Sequence, residues 1–421
     1  MSFEETLDRL GVSARKREIL ELNHSYLMPN RVEAWTGAGV PLVIGRREGY
    51  RLWDVDGHEL QDFHINGGTY NLGHRHPEIV RALVEATAHL DVGNHHFPSE
   101  ARGRLAERLA QQTPGDLHDS VFTPSGSEAN DLAIKSARHA TGRRKIVSLE
   151  GGFHGTSGLS GAAGDDASAA YFLSDSPEEF PKVPFGDLGA IEKALSGRDV
   201  AAVLIEPIPA TCGFPIPEAD YLPGVRALCD RYETLLIADE VQTGLGRTGR
   251  LWAVETFGIE PDLLISGKGL AGGLYPVGVV VMTRAVGRWL RERGWGYVST
   301  FGGSEIGCAV ALRGLELSSA PETARNVAKM SEYLAQGLAD LRSRHPFLCD
   351  VRQKGLVAGL GFDDPNGGLR MSAALYATGL WAMFAGFDRR YLQFKPGLLV
   401  DRAFLDEAFE KLETALRQVA G

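Results

Sequence analysis

Pro261-Asp-Leu-Leu-Ile-Ser-Gly-Lys268-Gly-Leu-Ala-Gly-Gly273 is a short apolar run that ends in one amine set among glycines. The run reads as a buried strand, and the small residues after it leave room for a bulky group beside Lys268. Similar runs occur at Ser120–Thr123, Lys145–Leu149, Val200–Ile205, Leu235–Ala238 and Val277–Met282, separated by helical stretches. Continuous apolar strands alternating with helices predict an α/β fold with a mostly parallel sheet covered on both faces. Ligands on such sheets bind beyond the carboxyl ends of the strands, which is where Lys268 and Asp239 fall.

Outside this block, residues 1–30 look helical and amphipathic, and 41–65 alternate as strands around a turn at Asp54-Val-Asp-Gly57. Pro77 opens a helix carrying Ile79, Leu83, Ala86 and Leu90. A long helical stretch, a mixed segment and a final helix follow from about residue 316. The expected organisation is an N-terminal segment, 1–60, belonging to a small α+β domain; a large domain, 61–315; and a C-terminal part of the small domain, 316–421.

The 421 residues carry a net charge of -10 and no basic block, which argues against a nucleic-acid surface. No apolar run approaches membrane-spanning length, and the N-terminus lacks a signal-peptide core. Four scattered cysteines without a C-x-x-C pair fit reduced thiols in the cytoplasm. The His74/His76 and His95/His96 pairs lack metal-site spacing with carboxylates, so no metal is expected.

Lys268 is the nucleophile candidate, since desolvation readily lowers a lysine pKa. Asp239, at the end of Leu235–Ala238, can hold a ring nitrogen protonated, with Gln242 placed to reach a ring hydroxyl. Thr123-Pro-Ser-Gly-Ser-Glu-Ala-Asn-Asp131 is a tight turn entering a helix. The amides of Gly126 and Ser127, with the serine hydroxyl, make an anion site there. Ser125-x-x-Glu128 also reads as a capping box, and the two readings are compatible. Phe153, in Gly151-Gly-Phe-His154-Gly, can stack on a flat ring. An amine for an aldehyde, an acid for a ring nitrogen and an anion site for a phosphate together point to pyridoxal phosphate.

These residues resemble those of a family. Ser125-Gly-Ser-Glu-Ala-Asn130, Phe153-His-Gly, Ile205-Glu-Pro, Asp239-Glu-Val-Gln-Thr-Gly-Leu-Gly-Arg-Thr-Gly249, Ser266-Gly-Lys-Gly269 and Ser299-Thr-Phe-Gly-Gly303 are similar, in this order, to class III aminotransferases. The resemblance spans about 40 to 400. It implies fold type I, a seven-stranded sheet, and a homodimer with a shared active site. It also implies Lys268 as the Schiff-base lysine and Asp239, Val241 and Gln242 as ring contacts. Gly126 and Ser127 become phosphate binders, Phe153 the stacking aromatic, and His154 and Glu206 part of the cofactor site. Thr300 would reach the partner's phosphate, and Asn66–His74, with Thr69 and Tyr70, would be the substrate loop. The partners implied are a small-molecule amino donor and a carbonyl acceptor.

Two departures set this chain apart. Many relatives carry Glu-Pro-Ile-Gln-Gly-Glu where this chain has Glu206-Pro-Ile-Pro-Ala-Thr211, and Arg-Phe-Ala-Pro-Pro-Leu where it has Gln393-Phe-Lys-Pro-Gly-Leu398. The glutamate and arginine that pair in those relatives are both absent here, as Thr211 and Gln393. Joint loss is sensible, because an orphaned buried charge costs several kcal/mol. It implies a second substrate that is neutral or cationic, such as an amino-sugar or specialised-metabolite aldehyde or ketone. Lys395 is the candidate substitute anchor. The motifs alone do not separate transamination from aminomutase, racemase, decarboxylase or lyase chemistry. The sheet and turn alone also permit a non-catalytic phosphate-ligand-binding protein.

Overall fold

The computed structural model describes residues 2–420. Its centre is a seven-stranded sheet. The strand order is Leu117–Thr123, Gly278–Thr283, Leu263–Ser266, Leu235–Asp239, Val200–Ile205, Lys145–Leu149, Lys182–Val183. Gly278–Thr283 pairs antiparallel with both neighbours, and the other pairs are parallel. The six apolar runs are all strands, within a few residues of their expected ends. The edge strand Lys182–Val183 has only two residues, too few to show a period.

Alternation along these strands feeds two separate cores. Val203, Ile205, Leu236, Ala238, Leu264, Val279 and Val281 face one core, and Ala202, Leu204, Ile237, Leu263, Ile265, Val280 and Met282 face the other. Side chains of a strand point alternately to opposite faces, so a strand apolar at every position must be covered on both. One cover is the helix Gly126–Thr141, which buries Ala129, Leu132, Ala133 and Ala137, as its spacing predicts. The other includes Tyr221–Arg231 and Glu305–Ser318. Each fully buried Leu, Ile or Val is worth roughly 1.5–3 kcal/mol, so these layers hold the sheet firmly.

The N-terminal helical stretch is broken into Phe3–Leu10, Ala14–Tyr26 and Pro29–Gly37. Gly11, at φ 61°, ends the first helix in a left-handed cap, and Pro29 starts the third. A four-stranded sheet follows, in the order Ile44–Glu48, Arg51–Asp54, Glu59–Asp62, Leu380–Trp381. Its last strand comes from far along the chain and pairs parallel with Gln61 and Asp62. Another four-stranded sheet, antiparallel throughout, joins Leu348–Lys354, Val357–Phe362, Tyr391–Phe394 and Met383–Phe384. Phe63 and Phe394 tie the two small sheets, ring centroids 4.3 Å apart, and the Lys395 N–H donates to Phe63 O at 2.8 Å. The helices Pro321–Arg344 and Arg402–Ala420 pack against this part.

The helix Glu305–Ser318 presses directly on the turn Lys268–Ala271. A Cβ at Gly314 would lie 2.1 Å from the Leu270 carbonyl oxygen, so only glycine permits this approach. We expect Gly314→Ala to destabilise the folded chain by at least about 1–3 kcal/mol, since overpacking against backbone has no flexible side chain to absorb it. Chemical denaturation measures this, and an unchanged midpoint would refute the assigned contact.

Candidate active site

Register brings the site together at the carboxyl edge of the central sheet. Asp239 ends its strand opposite Ile265, and Ile205 lies opposite Ala238. Glu206, Asp239 and Lys268 therefore emerge from three adjacent strands. Lys268 has φ 43°, a left-handed value that L-residues rarely adopt. It is half-buried, and loss of water around its amine lowers its pKa, partly offset by Asp239 and Glu206.

Asp239 is buried, and three N–H donors converge on it. Asn130 Nδ2 and His154 Nδ1 each donate to Oδ2 at 2.9 Å, and the Val241 N–H donates to Oδ1 at 3.1 Å. Because an ionised carboxylate only accepts, His154 carries its proton on Nδ1 here. His154 Nε2 is left buried without a partner, as are Asn130 Oδ1 and Gln242 Oε1. His154 therefore acts on Asp239. Asn130 was not singled out in the sequence. Its signals are its place at the end of the Ser125–Asn130 motif and its spacing: four residues after Gly126, it lies one turn along the same helix face and donates to the Gly126 carbonyl at 3.1 Å.

At the phosphate-type turn, Gly126 and Ser127 are the first residues of a 16-residue helix, so their N–H groups lack acceptors within it. Gly126 packs beneath Val241; a Cβ there would come 3.2 Å from Val241 Cγ2. The Ser127 hydroxyl is engaged with Ser157 Oγ at 2.7 Å and Ser160 Oγ at 2.9 Å, and it accepts from the Ser157 N–H at 3.1 Å. Ser125 caps the helix by accepting from the Glu128 N–H, but the expected return half of the capping box is not formed. Glu128 instead accepts from the Tyr297 hydroxyl.

A cleft of about 400 Å³ joins Thr69, Ser125, Gly126, Lys268 and Tyr275. The Tyr70 ring packs tilted against His74, centroids 3.9 Å apart and planes at 31°, and lies over Gly273. Just before Tyr70 the chain from Ile65 to Gly68 runs through four consecutive left-handed residues. This brings Gly67 close to the lysine: a Cβ would meet Gln242 Oε1 and Lys268 Cε, each at 3.1 Å. Phe153 is 37% exposed, and its N–H donates to Glu206 Oε1 at 2.9 Å. Thr300 is exposed and is not among the residues lining the lysine cleft.

Thr211 and Gln393, the two departures, make separate contacts. Thr211 Oγ1 donates to Gly151 O at 3.2 Å, and Gln393 Oε1 accepts from Lys395 Nζ at 2.7 Å. Alternation along Tyr391–Phe394 and onward places 393 and 395 on one face, which is why they meet. The amine, the buried acid with its donors and the free helix amides fit the three demands of pyridoxal phosphate.

Residues 34–416 match the family model of class-III aminotransferases. An uncharacterized aminotransferase of Archaeoglobus fulgidus is 44% identical over 409 residues, 97% of this chain and 96% of its own length. Acetylornithine aminotransferase of Neisseria meningitidis serogroup A is 36% identical over 406 residues, 94% of this chain and 98% of its own. Among solved structures, an ornithine aminotransferase of Toxoplasma gondii, described with partial occupancy of PLP at its active site, superposes with a TM-score of 0.87. It is 26% identical and covers 100% of this chain and 98% of that one.

Burial raises the Glu206 pKa from 4.5 to about 7, with Asp239 adding repulsion and His154 opposing it. The folded chain thus keeps this proton to higher pH than the unfolded chain does. Stability from this group is full below the unfolded value and is lost as pH rises toward 7. Glu206→Gln should shrink the loss of stability between pH 5 and pH 8 by about 1–3 kcal/mol in the cofactor-free chain. Denaturant titrations at both pH values test it, and equal losses in both proteins would reject the raised pKa.

Proposed function

The chain belongs to the class-III aminotransferases, enzymes of fold type I, and from that premise we propose which of its residues do the work and on what. The family's cofactor, pyridoxal phosphate, supplies when bound an aldehyde carbon that takes an amine and a ring that withdraws electrons from the substrate carbon. Lys268 holds the cofactor covalently and carries the proton to and from the substrate carbon. Its lowered pKa supports both roles, since a neutral amine is the nucleophile and the base.

Asp239 grips the ring nitrogen and His154 and Asn130 orient Asp239, a reading supported by their 2.9 Å hydrogen bonds. The Gly126 and Ser127 amides hold the phosphate at the positive end of their helix. Gln242 has a buried oxygen without a partner and a position beside Lys268, which suits a contact to the ring hydroxyl. Val241 and Phe153 bracket the ring. Thr69 and Tyr70 line the substrate side.

The observation that carries this assignment is the convergence of Lys268, Asp239 and the Gly126 amides on the edge of one sheet. The amino group passes from an amino-acid donor to a carbonyl acceptor. The acceptor is proposed to be neutral or cationic, such as an amino-sugar or specialised-metabolite aldehyde or ketone. The uncharged Thr211 and Gln393 support this, since they remove the paired charges that a second dicarboxylic substrate would use.

The working form is proposed to be a cytoplasmic homodimer in which Thr300 completes the partner's phosphate site. Phe97, Trp295, Val298 and Phe301 are 73%, 70%, 55% and 57% exposed, and Phe97, Trp295 and Val298 line one cleft beside Thr300. An apolar patch of this kind calls for a partner surface. Four free cysteines, and no helix of the described residues long and apolar enough to cross a membrane, accord with the location.

Borohydride treatment of the holoenzyme followed by peptide mapping should place the cofactor on Lys268. Lys268→Ala should lose that attachment and lower amino transfer by about 100- to 10,000-fold, the usual worth of a positioned acid–base group. A cofactor fixed elsewhere would sink the assignment. With a donor labelled at nitrogen, the label should arrive in the acceptor product; a product that keeps its own nitrogen would indicate mutase or racemase chemistry instead.

A further inference from the structure

Lys395 is a deeply confined cation near the site. Its side chain is 2% exposed, yet its amine has no ion-pair partner among the described residues. Its contacts are the neutral Gln393 Oε1 at 2.7 Å and the face of Phe214, 5.5 Å from the ring centroid. The nearest acid acting on it, Asp62, is already committed. Asp62 Oδ1 accepts from the His64 and Ile65 N–H groups at 3.0 and 2.7 Å, and Oδ2 pairs with His74 Nε2 at 2.8 Å.

The other charged groups bearing on Lys395 are cations, Arg247 and Lys268. Arg247 is fully buried, and its nitrogens donate only to the Pro396 and Leu356 carbonyls. His64 faces both Lys268 and Lys395, and its Nδ1 is buried without a partner. Burial and these neighbours push the Lys395 pKa well down, a sign of unmet demand for an anion. A buried ammonium is tolerated when a counter-ion arrives, and here the chain supplies none.

We propose that Lys395 is the anchor for the carboxylate of the amino-acid donor, and that Gln393 is its neutral resting partner. This rests on the assignment of Lys268 and the donor class above. A glutamate at a resting position competes with the substrate carboxylate for the cation; a glutamine amide lets go more readily, because a neutral acceptor binds a cation less strongly than a charged one. When the carboxylate-bearing donor enters, Lys395 Nζ transfers from Gln393 Oε1 to the carboxylate. When the acceptor lacks a carboxylate, Lys395 gives up its extra proton, as its lowered pKa favours, and the neutral amine returns to Gln393, so no buried charge is left unpaired. One pocket thus serves two substrates of different charge without a moving ion pair.

The test uses holoenzyme and two unreactive probes, propionate and its uncharged isostere propionamide. Calorimetry should show propionate binding about 10- to 100-fold more tightly than propionamide, the worth of one charge-assisted hydrogen bond. Lys395→Met should abolish that preference, and Lys395→Arg should keep it. Gln393→Glu, which supplies a competing carboxylate, should also weaken propionate binding. In the donor half-reaction, Lys395→Met should raise KM for an α-amino acid about 10- to 100-fold and leave the KM of the matching amine without a carboxylate near its wild-type value. Equal effects on acid and amine, or no effect on either, would overturn the proposal. Retained borohydride attachment at Lys268 in every variant separates this failure from a failure of the site assignment. Circular dichroism confirms folding, and a variant that does not fold is replaced as the deciding measurement by the propionate preference of wild type against Gln393→Glu.

Discussion

A carboxylate taken out of water must be repaid by donors, and the surroundings of Asp239 are built to that demand. Its three donors come from different places: Asn130 from the helix Gly126–Thr141, His154 from the segment after Lys145–Leu149, and Val241 from its own turn. Left unpaired, such a group costs several kcal/mol. The carboxylate therefore couples the register of the sheet to the seating of the helix and of the 151–154 loop. The same helix begins at Gly126, so orienting the acid and presenting the free helix-terminal amides are one structural act.

Strain is concentrated at the same place. Ile65, Asn66 and Lys268 are L-residues held at φ 42°, 47° and 43°. Positions of this kind cost on the order of 1–3 kcal/mol each and persist only where packing over-determines them. Here the packing is visible. Asp62 fixes the start of the 64–68 turn through two backbone donors, Gly67 lies against Lys268, and Gly314 clamps the turn that carries the lysine. The lysine is thereby presented in one orientation before any ligand arrives, and the conformational freedom it lacks need not be lost later.

Buried charge around the site is unevenly distributed. Glu206 and Glu240 are both raised to about 7 by burial, while Lys268, Lys395 and Arg247 are all lowered by it. Glu240 is used internally, accepting from the Val254 N–H at 2.8 Å and from the Thr243 hydroxyl. Arg247 is likewise spent on carbonyls that close the loop from Lys395 to Leu398. The other groups left without a carboxylate partner among the described residues, Lys268 and Lys395, are amines whose charged form burial disfavours.

The strands, their burial on both faces and the positions of Asp239 and Lys268 were legible in sequence. Local spacing encodes them: an apolar run without alternation is a covered strand, and a polar residue at its end lies at the sheet's binding edge. The helix at Gly126 was legible for the same reason. The roles of Asn130 and Arg247 were not, because a polar residue on a helix or in a glycine-rich loop is ordinary until a buried partner is found. Nor was the Glu128–Tyr297 bond legible, which replaces half of the expected capping box. The Lys395–Gln393 pair was half visible: spacing of two puts both on one face, but only the packing of Phe63, Phe214 and the 391–394 strand encloses them. Sequence by itself thus determined the sheet, the family and the placement of Lys268 at the sheet's binding edge, since these follow from periodicity and motifs read locally. Tertiary structure alone decided which charges are paired, because pairing depends on burial and on contacts between segments more than 100 residues apart, as between Asn130 and Asp239.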